Sequence, residues 1–398
     1  MNALVFNPEV QAFIQENLYT DITKLILKKA VFDGISNTEL AEQIQGKVVC
    51  EKKLPTWFST PDIYFPKKLA IEQCSSEKTA AYKSSLIKGD NLLDLTGGFG
   101  VDSFYFSKTS KQVTYLEKQV ELSRIAEHNA NVLGAKNIEF IANDGIAYIN
   151  ESNRMWDVLY IDPSRRVASQ KVVRLIDCEP NVIDLYPKLA DKCTHIWIKA
   201  APLLDIKLAL TELKNVQSVH VVSVGNELKE LLFHINTQAA CQNPTIHCVL
   251  LNDAQTHHFS FTYEEEQHAA PSTCTAPKTY LYEPNAAWLK AGCFKLIAAR
   301  YGLEKMHQHT HLYTSDTHIA DFPGKVFTIL ANWSYTEFGK TVPVKQANCI
   351  SRNFPLQVAA LQKKHKITDG GSSSLFFITD HTGQYRVMQA ARYEKSPQ

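Results

Sequence analysis

The sequence predicts an α/β protein with a mainly parallel sheet, preceded by a helical region and followed by a small α+β region. From residue 91 onward, apolar runs of strand length alternate with helical segments, which indicates βαβ units. A glycine-rich turn follows the first of these runs. Residues 1–50 instead carry apolar positions at helical spacing. Together these three observations favour an α/β core with helical and α+β additions.

The predicted elements follow one another in chain order. The helix that enters the sheet is expected at Glu72–Leu86, after an extended connector at Leu54–Pro66. Six strands are predicted at Asn91–Leu95, Gln112–Glu117, Ile138–Ala142, Asp157–Ile161, His195–Lys199 and Ser218–Val222. The helices between them are expected near 102–108, 120–133, 145–150, 181–189 and 203–210. A further helix is predicted at Glu227–His234, and the apolar runs Ile246–Leu251 and His258–Tyr263 are expected to pair antiparallel.

The last third of the chain reads as a separate region. A segment rich in Ala, Pro, Thr and Ser, His268–Pro277, predicts a linker. Beyond it we expect helices at Asn285–Tyr301 and Leu356–His365 and strands at Val326–Asn332 and Leu375–Thr379. His307, His309 and His311 alternate, which predicts that they share one face of a strand. We expect this face to be polar or phosphate-facing rather than metal-binding.

Composition is typical of a globular protein, with 44% hydrophobic and 21% charged residues. The chain has no apolar run near the ~18–20 residues of a membrane helix and no signal peptide pattern. Nine cysteines without a C-x-x-C pair indicate reduced thiols, so we predict a cytoplasmic protein with no membrane partner and no metal. The sequence does not specify an oligomeric state.

Charge is distributed unevenly along the chain. Residues 278–398 hold 15 Lys and Arg against 8 Asp and Glu, whereas residues 1–277 hold 27 against 33. A basic module attached to an acidic body is typical of a nucleic-acid-docking appendage. Charge alone is equally consistent with a solvated basic surface.

The turn after the first strand reads D-L-T-G-G-F-G-V-D over Asp94–Asp102. Glycines allow the backbone to adopt positive φ and to approach a ligand closely, and the amides of the following helix can bind a carboxylate. The residues expected to contact a cofactor here are Asp94, Thr96, Gly97, Gly98, Gly100 and Asp102. The turn alone does not identify the cofactor, since a dinucleotide fingerprint would need a glycine where Ser103 stands.

Two acids at the ends of the next strands extend this cofactor site. Glu117 follows Gly98 by 19 residues, the spacing at which an acid binds ribose hydroxyls in several nucleotide-binding enzymes, including NAD enzymes. Asp144 follows the third strand, where a carboxylate can accept from an adenine amino group. The alternative for Asp144 is a helix N-cap.

The fourth strand is followed by D-P-S-R-R, Asp162–Arg166. Asp162 can accept a hydrogen bond from an attacking amine, and Pro163 turns the chain so that carbonyl oxygens face a pocket. The guanidinium groups of Arg165 and Arg166 suit phosphates or base edges. The alternatives are a proline-started turn and, for one arginine, a structural ion pair.

The same motifs carry a resemblance to a known family. They are Glu72–Ala80 (E-Q-C-S-S-E-K-T-A), Asp94–Asp102, Asp162–Arg166, Tyr282–Ala287 (Y-E-P-N-A-A), His311–Asp316 (H-L-Y-T-S-D) and Ile350–Pro355 (I-S-R-N-F-P). With them the chain resembles the class I S-adenosylmethionine-dependent methyltransferases, and more narrowly a bacterial family with a C-terminal THUMP-like domain. The resemblance implies a Rossmann-like seven-stranded methyltransferase sheet and S-adenosylmethionine as cofactor. It also implies a helical region at 1–75, a methyltransferase domain at 76–267, a ferredoxin-like segment at 279–321 and a THUMP-like domain at 322–398.

The expected activity is methylation of a base nitrogen in structured RNA, either tRNA or rRNA. We expect Asp162, Pro163, Ser164 and Arg165 to be catalytic, and we expect Asp162 to contact the cofactor as well. The expected RNA contacts are Arg165, Arg166, Arg352, Lys363, Lys364 and Lys366. The alternatives are a protein or small-molecule acceptor, a non-catalytic S-adenosylmethionine- or RNA-binding protein, and an NAD enzyme.

Two details bear on the methylated atom. Related D-P-P-[FY] enzymes place an aromatic residue where Arg165 stands, which puts methylation of an exocyclic amine in doubt. Methylation of uracil at C5 would need a cysteine nucleophile just after the fifth strand. That strand ends in K-A-A-P, Lys199–Pro202, with Cys193 before it, so C5 chemistry is disfavoured, although Cys178 is not excluded.

Overall fold

The computed structural model describes residues 1–165, 174–253 and 255–393. Arg166, one of the expected RNA contacts, lies outside the described residues. The chain divides into two compact units. Unit 1 comprises Met1–Val219 and Lys229–Gln242, and unit 2 comprises His220–Leu228 and Asn243–Gln398.

The described residues form strands and helices with the following bounds. The strands of the first 242 residues are β1 (Asn91–Asp94), β2 (Gln112–Leu116), β3 (Ile138–Ile141), β4 (Trp156–Ile161), β5 (Ser164–Arg165), β6 (Cys178–Glu179), β7 (Cys193–Ala200), β8 (Val216–Val224) and β9 (Glu227–Asn236). The later strands are β10 (Thr245–Leu251), β11 (Thr256–Phe261), β12 (Tyr280–Pro284), β13 (Glu304–Lys305), β14 (Tyr313–Ser315), β15 (Gly324–Ser334), β16 (Asn348–Arg352), β17 (Ser373–Thr379) and β18 (Tyr385–Arg392). The helices of the first 242 residues are α1 (Pro8–Glu16), α2 (Ile22–Ile26), α3 (Asn37–Lys53), α4 (Pro55–Ser59), α5 (Lys68–Gln73), α6 (Glu77–Leu86), α7 (Val101–Ser107), α8 (Val120–Val132), α9 (Gly145–Glu151), α10 (Val182–Ala190) and α11 (Ile206–Glu212). The later helices are α12 (Tyr263–His268), α13 (Ala286–Ala291), α14 (Phe294–Tyr301), α15 (Tyr335–Thr341) and α16 (Val358–His365), and short 3-10 turns lie at Ala3–Phe6 and Leu175–Asp177.

Unit 1 contains seven neighbouring strands, in the order β8-β9-β7-β4-β1-β2-β3, of a sheet that has nine strands among the described residues, and only the first part of β8 belongs to this unit. Strands β1, β2, β3, β4 and β7 pair in parallel, and β9 runs antiparallel to β7. The predicted Rossmann-like sheet is therefore confirmed. The carboxyl ends of its parallel strands meet at one edge, which is where such sheets bind ligands.

One predicted element of this sheet is wrong. The segment Glu227–His234, expected to be a helix, is part of strand β9. It contains good helix formers, but Leu231, Leu232 and Phe233 are all fully buried between neighbouring strands. Burial on both sheet faces produces a continuous apolar run that periodicity cannot distinguish from a buried helix.

Within unit 1, the N-terminal helical region packs on the glycine turn and on helices α7 and α8 through one apolar cluster. Its helices bury residues such as Leu40, Ile44 and Trp57 against Phe99 and Phe104 beside the glycine turn. The predicted extended connector at Leu54–Pro66 contains helix α4, so that prediction is wrong over five residues. Pro55 starts the helix, a position where a missing N–H costs nothing. The predicted helix Glu72–Leu86 is likewise interrupted before Ser76, which caps α6.

Unit 2 contains the end of β8 with β10 and β11, followed by a second sheet. Strands β10 and β11 pair antiparallel, as predicted. The second sheet has the order β13-β14-β12-β15-β18-β17-β16. The predicted helix at Asn285–Tyr301 is divided into α13 and α14 by Gly292, whose φ of 79° ends the first helix. Among the described residues, no helix is long and apolar enough to cross a membrane.

The three alternating histidines do not share a strand face. They lie after the two-residue strand β13, and His311 adopts a positive φ of 52°. Its ring stacks on Phe294 at 3.7 Å between ring centroids, and burial lowers its pKa to about 4. A buried aromatic contact explains His311 better than a phosphate-facing strand.

Candidate functional site

The candidate site lies in unit 1, where the parallel strands end. Asp94 ends β1, Glu117 directly follows β2, and Asp144 lies three positions after the end of β3. Asp162 directly follows β4. Since neighbouring parallel strands end at the same sheet edge, the fold brings these four predicted residues to one edge.

The glycines of the turn are required by the local structure. Gly98 and Gly100 have φ of 55° and 81°, a region that favours glycine. A Cβ on Gly97 would lie 2.0 Å from the ring of Tyr115. Gly100 caps α7 at its N-terminus. The glycines at 97 and 100 therefore allow the turn to pack closely against its neighbours, and Gly98 and Gly100 allow its positive φ angles.

Glu117 holds this turn in place from the neighbouring strand. Its Oε2 accepts from the amide of Gly98 at 3.1 Å, and its Oε1 accepts from the amide of Gln119 at 2.8 Å. The hydroxyl of Tyr115 donates to the carbonyl of Gly98 at 2.6 Å. Each carboxylate oxygen has a further lone pair, so Glu117 can still accept from ribose hydroxyls.

Asp94 is a buried carboxyl group at the centre of the edge. Its Oδ1 accepts from the amide of Thr96 at 3.1 Å, and its Oδ2 accepts from the hydroxyl of Ser103 at 2.5 Å. Burial, reinforced by the charges of Asp102 and Asp162, raises the pKa of Asp94 to about 7. Such a group favours a bound cation, because a cation would stabilise its ionised form.

Asp144 caps helix α9. Its Oδ1 accepts from the amides of Ile146 and Ala147, both at 3.0 Å. The structure therefore confirms that Asp144 is a helix N-cap. Both hydrogen bonds end on one oxygen, so a second acceptor remains on the same carboxylate, and a cofactor contact stays a prediction.

Asp162 is tied to the glycine turn and to a residue that the motif analysis overlooked. Its backbone amide donates to Oγ1 of Thr96 at 2.7 Å. Its Oδ2 accepts from Nζ of Lys199 at 2.5 Å. Burial alone lowers the pKa of Lys199, but Asp162, Asp102 and Glu230 together raise it above its ordinary value. Lys199 begins the K-A-A-P sequence, so its place at a strand end was the available signal.

A buried charge cluster lies beside this pair. Nζ of Lys83, which is fully buried, contacts Oδ1 of Asp102 at 3.1 Å and both carboxylate oxygens of Glu230 at 3.0 and 3.1 Å. Ser75 donates to Asp102 at 2.8 Å and Tyr160 donates to it at 2.9 Å. Although burial raises the pKa of Asp102, Lys83 and Lys199 bring it below its ordinary value. The predicted cofactor residue Asp102 thus uses its carboxylate within the protein.

The rest of the D-P-S-R-R motif leaves the sheet edge as a short strand. Ser164 and Arg165 pair antiparallel with Cys178 and Glu179, and the hydroxyl of Ser164 donates to the carbonyl of Glu179 at 3.3 Å. Cys193 donates to the carbonyl of Leu189, and burial raises its pKa to about 12. A thiol in that state is a poor nucleophile, which agrees with the argument against C5 chemistry.

The expected RNA contacts of unit 2 differ in their accessibility. Lys363, Lys364 and Lys366 are exposed at the end of helix α16, and Nζ of Lys364 lies 5.0 Å from the centre of the Tyr335 ring. Arg352 is half-buried and donates to Oε1 of the buried Glu283 at 2.7 Å. The three lysines therefore form an accessible basic surface, whereas Arg352 is already engaged.

The residues present fit S-adenosylmethionine, the cofactor that the family resemblance implies. Gly98 leaves open space in the turn, since the nearest atom to a Cβ there would be 3.9 Å away, and Asp94 would pair with the ligand's ammonium group. Glu117 would accept from ribose hydroxyls, and Asp144 would accept from the adenine amino group.

The chain is similar to known proteins in sequence and in structure. A sequence model of a ferredoxin-like domain matches residues 280–323, and one of a THUMP domain-like region matches residues 324–392. Over 87 residues the chain is 31% identical to an uncharacterized RNA methyltransferase of Mycoplasma mobile, a match that covers 22% of this chain and 24% of that protein. The crystal structure of a putative methyltransferase from Porphyromonas gingivalis W83 matches with 31% identity and a TM-score of 0.86, covering 97% of this chain and 98% of that chain. The protein therefore belongs to the bacterial class I methyltransferase family with a C-terminal THUMP-like domain.

Proposed function

We propose that the protein is an S-adenosylmethionine-dependent methyltransferase that methylates a base nitrogen in structured RNA, either tRNA or rRNA. The hydrogen bond from the Asp162 amide to Thr96 carries this proposal. It joins the glycine turn, where the cofactor would bind, to the motif that would receive the substrate. The proposed site for the methyl donor and the proposed site for the acceptor would thereby lie next to each other.

The residues that would hold the cofactor lie in the glycine turn and at the ends of the neighbouring strands. They are Asp94, Thr96, Gly97, Gly98, Gly100, Glu117 and Asp144. When bound, S-adenosylmethionine supplies an electrophilic methyl group. The protein's own contribution is to position the acceptor and to manage its proton. Asp162 would orient the reacting nitrogen and take up its proton, while Pro163, Ser164 and Arg165 would shape the entrance beside it.

The RNA part of the proposal is supported by the basic surface of Lys363, Lys364 and Lys366. These lysines lie within the region that matches the THUMP domain-like model. The Mycoplasma relative is described as an RNA methyltransferase, although the match covers only part of that protein. We also propose a cytoplasmic location and the region boundaries 1–75, 76–267, 279–321 and 322–398.

The decisive test is mass spectrometry of nucleosides from cells with and without the protein. The expected result is one methylated nucleoside that is missing when the protein is absent. Purified full-length protein with methyl-labelled S-adenosylmethionine then separates the alternatives. Transfer to protein or metabolites instead of RNA would favour those acceptors, and cofactor binding without any transfer would favour a non-catalytic binding protein.

The docking surface is tested by reversing the three lysines together to glutamate. Because phosphate contacts release counterions, we expect weaker RNA binding and a salt dependence reduced by about one unit of slope per lysine. Affinity for S-adenosylmethionine should stay unchanged, since the lysines lie outside unit 1. Glu264, Glu265 and Glu266 of helix α12 offer a control surface, and their replacement by glutamine should not weaken RNA binding. Unchanged RNA affinity of the lysine variant would overturn the docking surface.

A further inference from the structure

Lys199 and Asp162 form a hydrogen-bonded ion pair on the side of the candidate site that would receive the substrate to be methylated. Their atoms lie 2.5 Å apart, and both side chains retain access to solvent, with 12% exposure for Lys199 and 31% for Asp162. Lys199 comes from the end of β7 and Asp162 from the end of β4, so two neighbouring strands fix the pair. The pair therefore places a cation and a partly exposed carboxylate side by side at the end of the sheet.

The surroundings keep Lys199 positively charged. The charged and titratable groups around it are Asp162, Asp102 on α7, Glu230 on β9, Lys53 and Cys74 from the helical region, and Lys83, which contacts Asp102 and Glu230. Asp162, Asp102 and Glu230 together raise the pKa of Lys199 despite its burial, with Asp162 as the largest of these influences. Its ammonium group thus serves as a permanent hydrogen-bond donor.

We propose that Lys199 is a specificity-determining residue, and that with Asp162 it selects a base whose reacting ring nitrogen carries a hydrogen and adjoins a carbonyl. Guanine at N1 and uracil at N3 have this arrangement. Asp162 would accept from the ring N–H, and Lys199 would donate to the adjoining carbonyl oxygen. The inference rests on the proposed function and names its substrate class.

A ring N–H beside a carbonyl and an exocyclic amine differ in how charge develops when they are methylated. A ring N–H next to a carbonyl loses its proton as the nitrogen is methylated, and negative charge spreads onto the carbonyl oxygen. An ammonium group already placed at that oxygen stabilises this charge. An exocyclic amine attacks as a neutral group, and a cation bound to the adjoining ring nitrogen would withdraw electrons from it. The cation beside Asp162 therefore favours the ring nitrogen.

The step balances with the groups named. The ring N–H proton moves to the carboxylate of Asp162, and the electron pair of the N–H bond forms the new bond from nitrogen to the methyl carbon. The electron pair of the broken carbon–sulfur bond stays with the donor, which becomes a neutral thioether. Lys199 exchanges no proton and acts through its charge.

The first experiment identifies the methylated nucleoside. Full-length protein is incubated with methyl-labelled S-adenosylmethionine and total RNA from cells that lack the protein, and the nucleosides are analysed by mass spectrometry. We expect the label on guanine N1 or uracil N3. Label on adenine N6, cytosine N4 or guanine N2 would overturn the inference while leaving the proposed function intact. Absence of label from RNA would overturn both.

The second experiment tests Lys199 itself. In Lys199→Met we expect kcat to fall roughly 100- to 1000-fold, the usual effect of removing one such donor. We also expect its pH–rate profile to move to higher pH, because the ring nitrogen then loses its proton without help from the cation. Lys199→Arg keeps the charge and should restore most of the rate and the original profile.

Folding and cofactor binding serve as controls for these variants. The unfolding midpoint in urea and the calorimetric affinity for S-adenosylmethionine are measured alongside the rates. A purely structural role of Lys199 would lower activity and stability without moving the pH profile, and that result would overturn the inference. A Lys199→Met protein that is slow but keeps the wild-type pH–rate profile and the wild-type product would also overturn the inference.

Discussion

The two halves of the candidate site, at the same sheet edge, are held together by different kinds of contact. In the glycine-turn half, carboxylates bind backbone amides, as Glu117 does with Gly98 only 19 residues away. In the charged half, which contains Asp162, Lys199, Asp102, Lys83 and Glu230, side chains bind other side chains. Lys199 and Asp162 are 37 residues apart in the chain, and Lys83 and Glu230 are 147 residues apart. The first half is specified locally, whereas the second exists only once the whole sheet has assembled.

The largest effect is expected in the charged half, from Lys83→Met. The substitution removes the ammonium group that directly contacts the buried carboxylates of Asp102 and Glu230. Breaking a buried pair in this way typically costs about 3–5 kcal/mol, so we expect the free energy of unfolding to fall by that amount. Urea unfolding monitored by circular dichroism provides the measurement.

An exposed ion pair of the same sheet provides the matched control. Arg154 and Glu139 pair with 55% and 39% of their side chains exposed. Arg154→Met should therefore cost less than about 1 kcal/mol. Equal costs for the two variants would show that burial of charge does not distinguish the charged half.

This contrast explains how much of the molecule the sequence could predict. The sequence predicts site residues at Asp94–Asp102, Glu117 and Asp144 because strand ends and glycines are local signals. It does not indicate Lys83, Glu230 and Lys199, because their partners come from distant strands and helices and a lone lysine or glutamate carries no local signal. The sequence predicts a helix at strand β9 for a related reason, since the burial of this strand between its neighbours is a tertiary property.

The second prediction concerns Asp94, which belongs to the glycine-turn half but is influenced by the charged half. Its pKa of about 7 in the folded protein exceeds the value of about 4 expected when unfolded. The folded state therefore holds the proton more tightly, and the associated stability is present below pH 4 and is lost as the pH rises to 7. Asp94→Asn lacks this titration.

Relative to Asp94→Asn, the wild-type protein should thus lose about 2–3 kcal/mol of stability between pH 5 and pH 8. Urea unfolding of both proteins at the two pH values measures this difference. Saturating S-adenosylmethionine should reduce it, because the ligand's ammonium group would stabilise the ionised carboxylate. A difference that does not change with pH would show that Asp94 is ionised throughout.

The third prediction tests whether the glycine turn is as closely packed as its contacts indicate. In Gly97→Ala the new Cβ would overlap the Tyr115 ring, so the turn must shift. We expect a loss of about 1–3 kcal/mol in unfolding free energy and a loss of at least roughly tenfold in cofactor affinity by calorimetry.

Gly339→Ala is the control for this change. Gly339 lies inside helix α15, and the nearest atom to its new Cβ would be 3.8 Å away. Alanine suits a helix better than glycine, so stability should stay equal or rise. If Gly97→Ala were equally harmless, the turn would be free to move and the cradle would not be preorganised.

The smallest effect is expected for Asp144→Asn, which separates a helix cap from a ligand contact. Asparagine caps helices as well as aspartate, so unfolding free energy should change by less than about 0.5 kcal/mol. Its single side-chain oxygen must stay with the amides of Ile146 and Ala147. The remaining amide nitrogen cannot accept from an adenine amino group, so S-adenosylmethionine affinity should fall about three- to tenfold.

Calorimetry would detect this loss, and Asp144→Ala, which removes both functions, should lower stability and affinity together. Unchanged affinity in Asp144→Asn would reduce Asp144 to a cap and leave the cofactor half of the site dependent on Asp94, Glu117 and the glycine turn.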